Sequence, residues 1–587
     1  MLSLKSPDPL AYREVVPKII DLATTECERF KGGRIRRYFS EWHNLTADTE
    51  ILQTVRGYLI EFTSMPIQRK IPKEISFNNE QLVIVQTEID TLLRKGVIVK
   101  CDREPGDFIS KIFVRQKKDG SFRMILNLTQ LNTHIAYHHF KMDSLHTAIQ
   151  MMTESCYMCS VDIKDAYYSC AIHESHQKYL KFCFKDQLYK YVVFPNGLAP
   201  LPRVFTKLLK PAYASLRRNG NQSVAFIDDS YLQGATFHDC QNNVIATVSQ
   251  FTRLGFIIHP EKSQLWPSQQ LVFLGFLLDS ILMCVKLTSE KHTKLRKLCT
   301  KFKKSTQPTI REVSKVLGFL ISILPAVQHG RLFTRNIEND KIQALKQNHG
   351  DYDALMTLSQ SSLKDLDWWH SRNIEHGNPI RIPQPSVVIK SDSSKKGWGC
   401  VCETTDVTSQ GLWSCDEKQK HINYLELKAA KIALVSLASQ FRDTHVRIYL
   451  DNVCAVAYIR EYSLECNELA RDIWVWALDR NIRLSACHIP GTKNIVADKQ
   501  SRKFREEMEY KLNPDLFQKV IRHFDFTPDI DLFASRINNQ LSPYISWQPD
   551  PGASFIDAFS VSWETYHFYA FPPFCSHSSR ATKNNSG

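Results

Sequence analysis

The sequence predicts a multidomain chain of α+β and α/β units, on three observations. Its 587 residues exceed what one hydrophobic core can serve and suggest roughly three to five compact units. The composition, 43% hydrophobic and 23% charged, is that of an ordinary soluble globular protein. Short β-prone runs ending in carboxylates recur between stretches of helical periodicity, once within 156–234 and again within 387–498. The formal charge of +14 favours a polyanionic partner, because lysines and arginines that displace condensed counterions supply most non-specific affinity for nucleic acid. A membrane role is not expected, since the longest apolar run, 317–327, is too short to span a bilayer and contains Pro325. Residues 1–30 hold no continuous apolar core and the 16 cysteines are scattered, so the chain is expected in a reducing intracellular compartment, cytoplasm or nucleus, and not secreted. Cys156 and Cys159 have the spacing of half a zinc site, but no second pair stands at a useful distance, and both are expected in the core.

Residues 1–74 read as a helical leader in which Gly32 and Gly33 precede Arg34, Arg36 and Arg37, and Ile51, Leu52, Val55, Tyr58 and Leu59 share a helix face weakened by Gly57. Packing beneath the next segment is its expected role. In residues 75–150 the periodicity of Leu82, Ile84, Val85, Ile89, Leu92 and Leu93 predicts a helix over 81–95. The runs 110–115 and 122–126 predict a hairpin around Asp119-Gly120, with Lys117, Lys118 and Arg123 on it. On charge alone that tip reads as solvated.

Residues 151–285 carry the first pair of carboxylate runs. The runs on either side of Asp228-Asp229 leave no room for a loop and predict a tight hairpin, and Asp-Asp is a poor choice where a turn favours Gly or Asn. A second role for those charges is therefore expected. Asp162 ends a similar run upstream, and if the two segments are neighbouring strands, Asp162 and Asp228 converge on one sheet edge. Carboxylates that close repel unless a divalent cation lies between them, and hard oxygen donors suit Mg²⁺, with Mn²⁺ an alternative. Asp229 is expected to engage less directly, because neighbouring strand residues point to opposite faces. A helix over 201–217, with Phe205, Leu208, Leu209, Ala212 and Leu216 on one face and a kink at Pro211, is expected to cover the sheet.

Five segments in this order resemble the polymerase core of a reverse transcriptase: 114–123, Asp162 to Tyr168, the Phe194-Pro195-Asn196-Gly197-Leu198 stretch, Phe226-Ile227-Asp228-Asp229, and Phe273-Leu274-Gly275-Phe276. The wording of 202–207 is similar to that of DIRS-type retrotransposons, the tyrosine-recombinase group. The resemblance implies a right-hand polymerase with fingers at 75–150, palm at 151–285 and thumb at 286–345, followed by a connection at 346–384. It implies that Asp162 and Asp228, with Asp229 beside them, hold two Mg²⁺ ions, and that Arg123 and Lys117 hold the incoming deoxynucleoside triphosphate, whose transition-state charge fixed cations stabilise. Tyr167 matches the family's steric gate against the ribose 2′-hydroxyl. Asn196 stands at a nucleotide-pocket position that is commonly Phe in related retroelements and Gln in retroviral enzymes. The lysines and arginine of 286–304 suit a thumb that grips a template–primer duplex by its backbone, and equally a solvated basic helix.

Beyond Pro385 a second set of carboxylates appears. Strand-like runs end at Asp392 and Asp451, a helix over 424–441 puts Glu426 on the face of Ala430, Ala433 and Leu437, and Asp498 follows 488–494. This order resembles ribonuclease H over 385–503, and implies that Asp392, Glu426, Asp451 and Asp498 hold two Mg²⁺ ions. His488 ends a predicted strand and reads as structural, and Lys499-Gln500 depart from the small apolar pair of relatives. Residues 504–575 read as a small α/β appendage similar to the segment after ribonuclease H in DIRS-type elements, and 576–587 as a disordered tail. The expected protein copies RNA, then DNA, into DNA and cuts the RNA of the hybrid. Its partners are an RNA template, a DNA primer and the RNA/DNA hybrid, with a separate recombinase needed for integration. A decayed or host-adopted copy that binds nucleic acid without catalysis is the alternative.

Overall fold

The computed structural model describes residues 9–73, 75–116, 122–304, 307–371, 374, 377–381, 383–461, 467–504 and 510–572. Lys117, the Asp119-Gly120 turn, the 576–587 tail and the side chain of Arg123 lie outside the described residues; the Arg123 backbone pairs with Arg115 in the hairpin of strands Lys111–Gln116 and Phe122–Asn127. Two compact units are present, one built from 1–293, 325–328 and 373–381, the other from 294–324, 329–372 and 382–587. Each mixes sheets with helices. Among the described residues no helix is long and apolar enough to cross a membrane.

The first unit centres on an antiparallel sheet. Its order is Gln264–Ser268, Tyr157–Lys164, Asp229–Gly234 and Gln222–Phe226, with Ile257–Ile258 pairing along the far end of Tyr157–Lys164. Side chains alternate between its faces. Cys159, Val161 and Leu232 join the core formed with helices Leu201–Arg218 and Phe237–Arg253, whereas Met158, Val224 and Tyr231 join a second core with Leu271, Phe273 and Leu278. Leu201–Arg218 runs as one helix through Pro211, burying Phe205, Leu208, Leu209, Ala212 and Leu216 as its periodicity demands. Cys156 and Cys159 are both buried, and Cys159 lies 3.6 Å from Cys240.

The leader is held by hydrogen bonds to several later segments of the first unit. The amide of Gly32 donates to the Lys95 carbonyl at 2.8 Å, that of Gly33 to Tyr168 at 2.8 Å and that of Tyr58 to Ala171 at 2.9 Å. Trp42, fully buried, donates from Nε1 to the Leu254 carbonyl at 3.0 Å. The leader is thus stitched to the segment after Asp162 as well as to the end of helix Asn79–Arg94. Gly33 is required there, because its φ of +68° lies in the left-handed region.

In the second unit the sheet order is Val407–Leu412, Gly397–Cys402, Val387–Ser393, His445–Leu450 and Arg483–His488. The first three strands are antiparallel, and the last two run parallel to Val387–Ser393. Helices Ile422–Ala438 and Asn467–Leu478 make the crossovers that parallel pairing needs. Helix Ile495–Arg502 follows the last strand and lies against Gly399.

Candidate active sites

The hairpin turn in the first unit is Ile227-Asp228, not Asp228-Asp229, because Phe226 pairs with Asp229 in the register. Ile227 adopts φ +56°, and a β-branched residue there carries strain on the order of 1–3 kcal/mol, which marks a conformation the surroundings impose. This register also corrects the expectation for Asp229. It is the first residue of its strand and stands directly opposite Asp162, on the face that carries Met158 and Tyr231. Asp228 lies in the turn, its carbonyl accepting from the Ile163 amide at 2.9 Å.

Electrostatics tie the three together. Burial pushes the Asp229 carboxyl up to about 6, helped by the charges of Asp228 and Asp162 and by a hydrogen bond shared with Asp162, and Lys262 opposes the shift. Asp228 is raised by burial and by Asp162, again opposed by Lys262. Tyr167 stands near the same group: burial and then the Asp228 charge raise its phenol to about 12, and its ring packs edge-on against Phe205 at 5.4 Å. Asn196 is exposed and donates from Nδ2 to the Tyr168 hydroxyl at 3.4 Å. Asn132 holds the adjoining loop with both ends of its amide, Nδ2 to the Gly197 carbonyl at 2.9 Å and Oδ1 from the Ala199 amide at 3.0 Å. Lys262 and Asn132 were missed from sequence. The only signals were a lysine after a short strand and an Asn in a polar helix, neither of which points to a site by itself.

In the second unit Asp392, Glu426 and Asp451 bring carboxylate oxygens within 4.8 Å of one another, the one such cluster among the described residues. Asp392 and Glu426 are buried, 2% and 4% exposed. Glu426 looks toward the sheet, as its helical face requires. Burial, then the charges of Asp392 and Asp451, push Glu426 up to about 9, and its Oε2 is buried with no hydrogen-bond partner. Burial likewise raises Asp392, which accepts a 2.5 Å hydrogen bond from the Ser501 hydroxyl. Hard oxygens, a buried carboxylate oxygen without a partner and repulsion between neighbours all fit a divalent cation. Asp498 stands outside the tight cluster. It is 39% exposed and accepts from Arg502 Nε at 2.6 Å. Ser501 and Arg502, also missed from sequence, share the last turns of helix Ile495–Arg502 with it.

Residues 115–278 match the family model described as reverse transcriptase (RNA-dependent DNA polymerase). The chain is 19% identical over 457 residues to the enzymatic polyprotein of figwort mosaic virus (strain DxS), covering 74% of this chain and 63% of that protein. It is 25% identical over 204 residues to the Gag-Pol polyprotein of gibbon ape leukemia virus, covering 33% of this chain and 12% of that polyprotein. The chain therefore spans less than two thirds of either relative. Among solved structures, foamy viral protease-reverse transcriptase dRH in complex with ds DNA aligns at a TM-score of 0.48 and 15% identity, over 77% of this chain and 81% of that one. The chain thus carries a reverse transcriptase domain and resembles viral polyproteins.

Proposed function

We propose that the chain is the replication enzyme of a DIRS-type retrotransposon, an RNA- and DNA-directed DNA polymerase with a ribonuclease H. The observation that carries the polymerase reading is Asp162 facing Asp229 beside the strained Ile227-Asp228 turn, inside the segment that matches the reverse transcriptase family. Asp162, Asp228 and Asp229 would hold Mg²⁺, and so would Asp392, Glu426 and Asp451, with Asp498 nearby. When bound, Mg²⁺ supplies Lewis-acid activation of the attacking oxygen and neutralises charge developing on the phosphate.

The chain's own residues do the rest. Tyr167, braced by Phe205, fills the space a 2′-hydroxyl would need, and Asn132 fixes the 197–199 loop that borders Asn196. Lys262 offsets the negative charge gathered at Asp228 and Asp229. The ribonuclease reading is supported by the carboxylate cluster and by a mixed sheet in which the adjacent parallel strands Val387–Ser393 and His445–Leu450 bring Asp392 and Asp451 to one end. The DIRS-type assignment is supported by the wording of 202–207 and 529–536. Integration would then fall to a separate recombinase.

The test is Mg²⁺-dependent extension of a DNA primer on an RNA template, with template cleavage followed in the same reaction. Extension lost in Asp162→Asn and cleavage lost in Asp392→Asn, each sparing the other activity, is the expected result. Hybrid binding by the intact chain without extension would sink the polymerase reading.

A further inference from the structure

The segment 510–572 carries a small core. Its helix Pro514–His523 and two short strand pairs, 530–531 with 568–569 and 545–546 with 555–556, close over Ile530, Leu532, Ile545 and Ala558, with Phe533, Trp563 and Phe568 packed against them. What fixes it to the second unit's sheet is Arg536. Its Nη1 donates to Glu417 Oε1 at 3.2 Å, and its Nη2 donates both to Glu417 Oε2 and to the Leu412 carbonyl, each at 2.9 Å. The guanidinium also lies 5.6 Å from the centre of the Trp413 ring. Both charged side chains are largely buried, at 19% and 17% exposure. The Ser409 hydroxyl adds a hydrogen bond to the Pro549 carbonyl.

From Trp413, which Arg536 meets across the ring face rather than by a hydrogen bond, hydrogen bonds lead to the carboxylate cluster. Trp413, 1% exposed, donates from Nε1 to the Ser394 carbonyl at 2.9 Å. The Ser394 hydroxyl donates to the Ser501 carbonyl at 2.6 Å, and the Ser501 hydroxyl donates to Asp392 Oδ2 at 2.5 Å. Ser394 lies two residues beyond Asp392, so any shift of the Trp413 ring is felt at the end of the strand that carries the carboxylate.

We propose that Arg536 is a positioning residue for Asp392, and that 510–572 is a brace that holds the cluster in shape through Trp413, Ser394 and Ser501. The proposal rests on reading the cluster as a divalent-metal site. Outer-shell partners of metal ligands typically govern affinity by tenfold or more.

The experiment uses the full chain, with Arg536→Ala, Arg536→Lys and the charge exchange Arg536→Glu with Glu417→Arg. Mg²⁺ titration by calorimetry is read beside cleavage of the RNA strand in an RNA/DNA hybrid, and Asp392→Asn defines the share of Mg²⁺ binding that belongs to this site. Arg536→Ala is expected to weaken that share roughly tenfold, with cleavage recovering at high Mg²⁺. Arg536→Lys should rescue little, because lysine lacks the planar fork, and the exchange should restore part of the loss. An Arg536→Ala chain that melts earlier yet binds Mg²⁺ and cleaves like the intact protein would overturn the proposal. If the intact chain binds Mg²⁺ through Asp392 but cleaves nothing, the ribonuclease reading fails while the brace is still decided by the Mg²⁺ titration. Absence of any Asp392-dependent Mg²⁺ binding overturns both.

Discussion

Asp162 and Asp229 face each other across two antiparallel strands, and burial, with the Asp162 charge among the further causes, pushes the Asp229 carboxyl up to about 6, so above that pH two like charges stand opposite one another. Like charges directly opposite in a sheet cost stability. Asp229→Asn should therefore stabilise the metal-free chain at pH 8 by up to about 1 kcal/mol while depressing Mg²⁺-dependent extension. Melting in EDTA beside a primer-extension assay checks both. A variant that melts earlier than the parent in EDTA would show that the pair is held by something other than mutual repulsion.

Asn132 joins two backbone groups of one loop. Asn132→Ala frees both and should let 197–199 wander beside Asn196. The expected result is a raised KM for deoxynucleoside triphosphates, by about fivefold to thirtyfold for 1–2 kcal/mol of lost positioning, with primer–template affinity unchanged. An effect confined to kcat would assign Asn132 to a different step.

Much of both sites was legible because carboxylates at the ends of strand-like runs announce themselves. Asp162 and Asp392 lie near the ends of inner strands, each a residue or two before the strand stops, and Glu426 lies on the buried face of its helix. The placing of Asp229 opposite Asp162 was not legible for a physical reason: the turn begins one residue earlier than the Asp-Asp pair suggests, at an Ile whose φ of +56° no propensity would favour. That single step of register turns Asp229 toward Asp162. Ser501, Asn132 and Lys262 act through tertiary neighbours, and nothing in their local sequence marks them, whereas Arg502 is readable from spacing as the i,i+4 partner of Asp498. Apart from Trp42, the leader's stitches run through the Gly32, Gly33 and Tyr58 backbone amides, which carry no side-chain signal at all.

The buried carboxylates set a sign for pH. Glu426 titrates at about 9 in the folded chain, and Asp392 is also raised, so the folded state holds protons that the unfolded state has released. Stability then falls as pH rises from the ordinary carboxylate range toward 9. A divalent cation replaces those protons and should remove most of the slope. Melting temperature followed from pH 5 to 9, with EDTA and with Mg²⁺, is expected to diverge increasingly at high pH, and Glu426→Gln should bring the two curves together in part. Parallel curves would mean that the cluster takes no cation.

Gly399 pairs with Asp392 in the register, and helix Ile495–Arg502 lies directly on it. A Cβ at this position would meet the Gln500 Cβ at 2.5 Å and the Ala497 carbonyl at 2.6 Å, and the Ser501 amide closer still. Backbone cannot swing aside as a flexible side chain can, so the helix must lift. The lift separates Ser501 from Asp392 and carries Asp498 away from the cluster. Gly399→Ala should cost about 1–3 kcal/mol in the second unit through overpacking. It should also lower RNA-strand cleavage by roughly tenfold or more, because the groups that orient Asp392 move together. Primer extension, which depends on residues of the other unit, should persist. If cleavage survives at the parental rate, the close approach of this helix does not set the geometry of the site.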